Sequence, residues 1–152
     1  MKRRAVIFGI LTALLLCFIW GQSMLPHDVS AGESTGLMQR VKPLLDPKNR
    51  IEDETFHHYL RKTAHFCEYA ALGFCMCGFL TNLCWERRPQ LRIPAVVVFC
   101  ILAASIDETI QLFSYERGPH VRDVLLDACG AVFGIAVFLL LHHLIRNRKT
   151  AA

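Results

Sequence analysis

The sequence predicts an all-α integral membrane protein, a four-helix bundle with both termini in the cytoplasm. Three observations predict it. First, 53% of the 152 residues are hydrophobic and only 20% are charged, with a mean hydropathy of +0.34. Second, four segments, residues 5–25, 60–83, 93–113 and 124–145, approach the ~20 predominantly apolar residues that a helix needs to cross the hydrocarbon. Third, the basic residues sit in short clusters beside those segments. Lys2, Arg3 and Arg4 precede the first, Arg87, Arg88 and Arg92 fill the connection between the second and third, and Arg146, Arg148 and Lys149 follow the fourth. Placing those clusters in the cytoplasm satisfies the positive-inside rule and puts the connection 26–58 outside. At this length residues 1–152 form a single domain.

The first span, "AVIFGILTALLLCFIWGQSML", is apolar throughout. Its basic start resembles a signal peptide, with "VSA" at 29–31 as a cleavage site, but the apolar run is long and the site lies well beyond its end. The segment is therefore expected to remain as a span. The outer connection carries Pro26, Pro43 and Pro47, and within it Leu37, Met38, Val41, Leu44 and Leu45 recur at helical spacing. That pattern predicts a short amphipathic element on the outer surface, interrupted at Pro43. The second helix is expected to begin near Asp53, with acids in its first turn. Gly130 and Gly134 in the fourth span have the spacing that lets helices approach closely.

The net charge of +4 is distributed as orienting clusters beside the spans, so nucleic acid is not an expected partner; the lipid bilayer is. The seven cysteines fall almost entirely inside spans and no pair has Cys-x-x-Cys spacing, so they read as small buried hydrophobes. "LLLC" argues against a lipoprotein cysteine at Cys17, because leucine stands where a small residue should precede the thiol.

Polar residues inside the spans are the informative ones. "SIDETIQLF" closes the third span, placing Asp107, Glu108 and Gln111 near its outer end. The second span begins outside with Arg61, Lys62, His65 and Glu68, and the fourth begins there with Asp123 and Asp127. Arg117 lies in the turn between the third and fourth. Three helices thus bring polar groups to one depth on one side, while their inner halves are apolar. A charge at the bilayer centre costs about 2.5–3.5 kcal/mol on insertion scales, less towards the interface. So many charges require that they face inward, pair or reach water, and a polar pocket open to the outside satisfies all three.

The pocket has alternative chemistries. Ion pairs and interhelical hydrogen bonds could simply hold the bundle, at about 0.6 kcal/mol each on average. His65 beside Glu68, Asp107 and Glu108 could act as acid or base on a lipid-linked or phosphate-bearing substrate. Asp107, Glu108, Asp123 and Asp127 could hold a hard divalent cation, although no metal-binding spacing is present and neither metal nor cofactor is assigned. Lys62 and Arg117 could take a phosphate or carboxylate.

The motifs "RKTAHFCEYAALGF", "DETIQLF", Arg117 and "RDVLLDACGAVFG", in that order, resemble the VanZ-like family of small multi-pass membrane proteins. "QSMLP" at the end of the first span is similar to the family's S-x-x-P and brings Ser23 to the same mouth. The resemblance carries over Lys62, His65, Glu68, Asp107, Glu108, Gln111, Arg117 and Asp123, with Asp127 at a position where Asp and Asn both occur. It implies a bacterial cytoplasmic membrane protein of the cell envelope. The founding member's link to teicoplanin resistance points to a lipid-linked or glycopeptide ligand at the outer leaflet.

Overall fold

The computed structural model describes residues 3–24, 27–83, 89–113 and 121–150. They form five helices: α1 (Arg3–Ser23), α2 (His27–Leu45), α3 (Asp53–Asn82), α4 (Pro89–Phe113) and α5 (Val121–Thr150). No strand occurs among the described residues, so the all-α expectation holds. The expected amphipathic element is a complete helix, α2, and it runs through Pro43. Leu37, Leu44 and Leu45 on it stay exposed. As the sequence predicts, α3 starts at Asp53 with Asp53 and Glu54 in its first turn.

Three helices are long and apolar enough to cross a membrane: Arg3–Ser23, Gln90–Leu112 and Arg122–Arg148. The fourth expected span, within α3, is a helix of 30 residues. It does not share their apolarity, because Arg61, Lys62, His65, Glu68, Thr81 and Asn82 dilute its hydrophobic residues. Large hydrophobics on the outside of α1, α4 and α5, among them Leu14, Phe18, Val98, Leu102, Leu125, Phe133 and Leu140, are exposed. An apolar exterior of that extent belongs in lipid and not in water. The chain is an integral membrane protein by this surface.

α3 lies at the centre, packed most extensively on α5 and also on α1, α4 and α2. Glycines set the α3–α5 distance. A Cβ placed on Gly134 would stand 1.8 Å from the Ala70 carbonyl oxygen, one on Gly130 2.4 Å from that of Phe66, and one on Gly73 2.4 Å from that of Ala131. The backbones touch, which is how helices associate where lipid removes any hydrophobic drive between them. Tyr69, Leu72, Cys77, Val96, Cys100, Ala104, Ala131 and Ile135 fill the buried interior. Trp20 donates from Nε1 to the Ala103 carbonyl at 3.3 Å and ties α1 to α4.

One end of the bundle gathers the start of α1, the end of α3 and the end of α5. Phe8, Phe74 and Phe138 meet there in edge-on and tilted pairs, with centroids 5.3–6.3 Å apart. They line an apolar cavity of about 440 Å³ rimmed by Arg4, Asn82, His142 and Arg146. At the same end Arg92 donates to the Thr81 hydroxyl at 3.2 Å.

The opposite end carries α2 and the turn into α3. Lys42 pairs with Asp53 and lies 5.9 Å over the Phe56 ring. Asp46, Pro47, Lys48 and Asn49 form a turn closed by Asn49 N–H to Asp46 C=O at 3.0 Å. Asn49 takes φ 48°, a conformation asparagine tolerates. The Asp46 carboxylate accepts from the backbone N–H of Arg50 and of Ile51, the latter at 2.7 Å, and these bonds hold its pKa below the usual carboxylate range.

Candidate functional site

The sequence expectation that three helices bring their polar residues to one depth is met in the geometry. Asp107 lies six residues before the end of α4 and Asp127 six residues after the start of α5. At 1.5 Å rise per residue both sit ~9 Å inside the helix ends. Asp107, Asp127 and Glu108 are 0%, 2% and 8% exposed. Three acids at that depth mark a place where the chain resists its own solvation preference.

α3 supplies Arg61 and Lys62, each about one turn before His65, with Glu68 and Tyr69 on the next turn. Lys62 Nζ stands 3.0 Å from Asp123 Oδ1, bridging α3 to α5 across the mouth. α4 supplies Asp107, Glu108 and Gln111. Gln111 Nε2 donates to Asp107 Oδ2 at 3.0 Å and to Ser23 Oγ at 3.3 Å, so Ser23 of α1 joins the group as the sequence predicts. Arg61, Lys62, His65, Glu108, Gln111, Asp123, Leu126 and Asp127 line one small cleft. Its volume is about 10 Å³, room for one water or one ion and no more.

Donor atoms of His65, Asp107 and Asp127 lie within 4.8 Å of one another. Two groups here lack the hydrogen bonds that buried polar atoms ordinarily make: Asp127 Oδ1 and the Tyr69 hydroxyl. Tyr69 is 0% exposed.

Of the residues predicted from sequence, Ser23, Lys62, His65, Glu68, Asp107, Glu108, Gln111, Asp123 and Asp127 are gathered at this end. Arg117 lies outside the described residues. Two participants, Arg61 and Tyr69, had no role assigned from sequence. Arg61 lines the cleft, and its position one turn before His65 was the signal for it. Tyr69 contributes an unpartnered hydroxyl, signalled by its i+4 spacing from His65. The roomy cavity at the opposite end contains none of the predicted residues. It is apolar, and its shape follows from how the three phenylalanines pack. The small cleft is where the chemistry-bearing groups meet.

A helical bundle with an apolar exterior, and with buried carboxylates beside a half-buried histidine and lysine at one end, defines a polytopic membrane protein with a polar site within its bundle. The family model described as VanZ/LLP1 matches residues 8–142, and the chain belongs to that family. No curated protein and no solved structure matches it.

Proposed function

We propose that the protein is an envelope factor of the bacterial cytoplasmic membrane. In this reading α1, α3, α4 and α5 cross the bilayer, both termini are cytoplasmic, and the polar cleft opens to the outside. There it engages a charged group on a lipid-linked or glycopeptide ligand and lowers susceptibility to glycopeptides such as teicoplanin. Charge supports this orientation: Arg4, Arg146 and Arg148 lie at one end of the bundle and the acids of the cleft at the other. α3 crosses despite its charges because its polar face is turned to α4 and α5, leaving lipid to its other residues.

The observation that carries this reading is the convergence of Lys62, His65, Glu108, Gln111, Asp123 and Asp127 on one cleft. Helix association alone does not account for it. An interhelical hydrogen bond contributes about 0.6 kcal/mol on average, whereas placing a charge at depth costs several times that. The glycine contacts already bring α3 and α5 together without any charge.

The test is growth of a Gram-positive host carrying the gene or the empty vector across a teicoplanin series. The expected result is a several-fold rise in the concentration that stops growth when the protein is made. No rise at confirmed membrane levels would remove the glycopeptide role.

A further inference from the structure

We infer that His65, Asp107 and Asp127 form a site for a divalent transition-metal cation, Zn²⁺ or Mn²⁺. The inference rests on the reading of this cleft as the working site and names what it holds.

Geometry comes first. One imidazole nitrogen and one oxygen from each carboxylate lie within 4.8 Å of one another, from three different helices. Small rotations of these side chains draw the three donors in to the ~2.0–2.2 Å bonds of a zinc site, leaving further positions open for water or ligand. Donor chemistry comes second. An imidazole favours zinc and its neighbours, and carboxylates favour manganese, magnesium and calcium; a mixed set selects zinc or manganese over magnesium or calcium.

A third, independent observation points to an occupant. Asp127 is 2% exposed, it lines the cleft, and its Oδ1 has no hydrogen-bond partner. A buried carboxylate oxygen left in this state is costly in protein and more so in lipid. The acidic groups near enough to act on it are Asp107, Asp123, Glu108 and Glu68, so the surrounding field deepens the need for positive charge. Lys62 is engaged with Asp123. The Tyr69 hydroxyl, within electrostatic range of both Asp107 and Asp127, is also unpartnered. Fourth, the innermost space of the cleft is ion-sized at about 10 Å³.

The ring of charge explains the purpose of such a cation. Bound between Asp107 and Asp127 it would neutralise both carboxylates at once. It would also present a positive centre at the bottom of an outward cleft, beside Lys62 and Arg61, where an anionic group can reach it.

The experiment uses the full chain purified in detergent. Metal content is read by mass spectrometry after dialysis against Zn²⁺ or Mn²⁺, and binding of each ion alone is titrated by calorimetry. Wild type is expected to hold about one equivalent. Asp127→Asn and His65→Gln should each weaken binding by at least about 100-fold, since even outer partners of metal ligands are worth 10–100-fold. Absence of stoichiometric binding to the wild type overturns the inference, and so does binding that both substitutions leave unchanged. Pulsed electron paramagnetic resonance of Mn²⁺ on the wild type needs no variant: coupling to one imidazole nitrogen is expected, and its absence at a stoichiometric site overturns the assignment. These readings separate from the antibiotic test. Metal bound without any protection sustains the inference and sinks the glycopeptide role, whereas protection without bound metal overturns the inference alone.

Discussion

Gly134→Leu is expected to abolish accumulation of the folded protein in the membrane. The position has no room for even one carbon, since a Cβ there falls 1.8 Å from the Ala70 carbonyl oxygen. The obstacle is backbone of α3, which cannot swing aside as a side chain can. The two helices must separate, and they hold each other at three such points, Gly73, Gly130 and Gly134. Separation by the width of a leucine opens the Tyr69–Leu72–Ala131–Ile135 interior and pulls Asp127 away from His65. Overpacking a well-packed core typically costs 1–3 kcal/mol and occasionally more; a backbone clash at the most extensive helix contact lies at the upper end or beyond. At about 2–4 °C per kcal/mol for a chain of this size, Gly134→Ala should lower the detergent melting temperature by up to about 10 °C. Gly21→Ala is the control, because nothing lies within 4 Å of a Cβ at Gly21. Wild-type melting of Gly134→Leu would mean that α3 and α5 do not approach as described.

Asp107→Asn is expected to return teicoplanin susceptibility to the empty-vector level while the protein accumulates at or above its normal amount. Asparagine keeps the shape of the side chain, and its amide can still meet Gln111 Nε2, now 3.0 Å from Asp107 Oδ2. Removing one of several clustered acids relieves like-charge repulsion and desolvation of a group that is 0% exposed, so stability should not fall. What is lost is one carboxylate of the cleft, and with it a donor to the proposed cation. Asp107→Leu provides the contrast. It also leaves Gln111 Nε2 with Ser23 Oγ as its remaining acceptor, and a lost hydrogen bond costs about 0.5–1.5 kcal/mol, so this variant should lose both amount and activity. An Asp107→Asn protein that fails to accumulate would assign the carboxylate to holding the bundle. One that accumulates and protects fully would take Asp107 out of the working site.

The helices were legible wherever apolarity alone decides. α1, α4 and α5 are continuous hydrophobic runs, and their expected limits lie within a few residues of the observed ones in most cases. α3 was legible for a different reason: its polar residues recur every three or four positions, so a helix with one wet face is the simplest fit. α2 was half legible. Its leucines and valine marked an amphipathic segment, but Pro43 suggested a break, and the structure accommodates the proline within the last turn before Leu45. The cluster of Lys62, His65, Asp107, Gln111 and Asp123 could be read from depth and direction alone, because each residue's distance from its helix end is fixed by the rise.

Other features were hidden because they depend on which faces meet. The Gly130/Gly134 spacing announced a close approach without naming its partner, and Gly73 on α3 carried no matching pattern. The Trp20–Ala103 hydrogen bond was hidden as well, since nothing in sequence places Ala103 opposite Trp20. The size of the cleft is set by how tightly the glycines draw α3 to α5, so the step from a polar pocket to an ion-sized one needed coordinates.

The most direct measurement is the direction in which the cleft faces. Alkaline phosphatase inserted between Pro47 and Lys48, in the turn at the polar end, is active only outside the cytoplasm. Green fluorescent protein fused after Arg148, at the opposite end, fluoresces only inside it. Active phosphatase and bright fluorescence from two chains that both accumulate would place His65, Asp107 and Asp127 at the outer face with the C-terminus inside. Inactive phosphatase together with a dark fusion would turn the cleft towards the cytoplasm and contradict an envelope function at the outer leaflet.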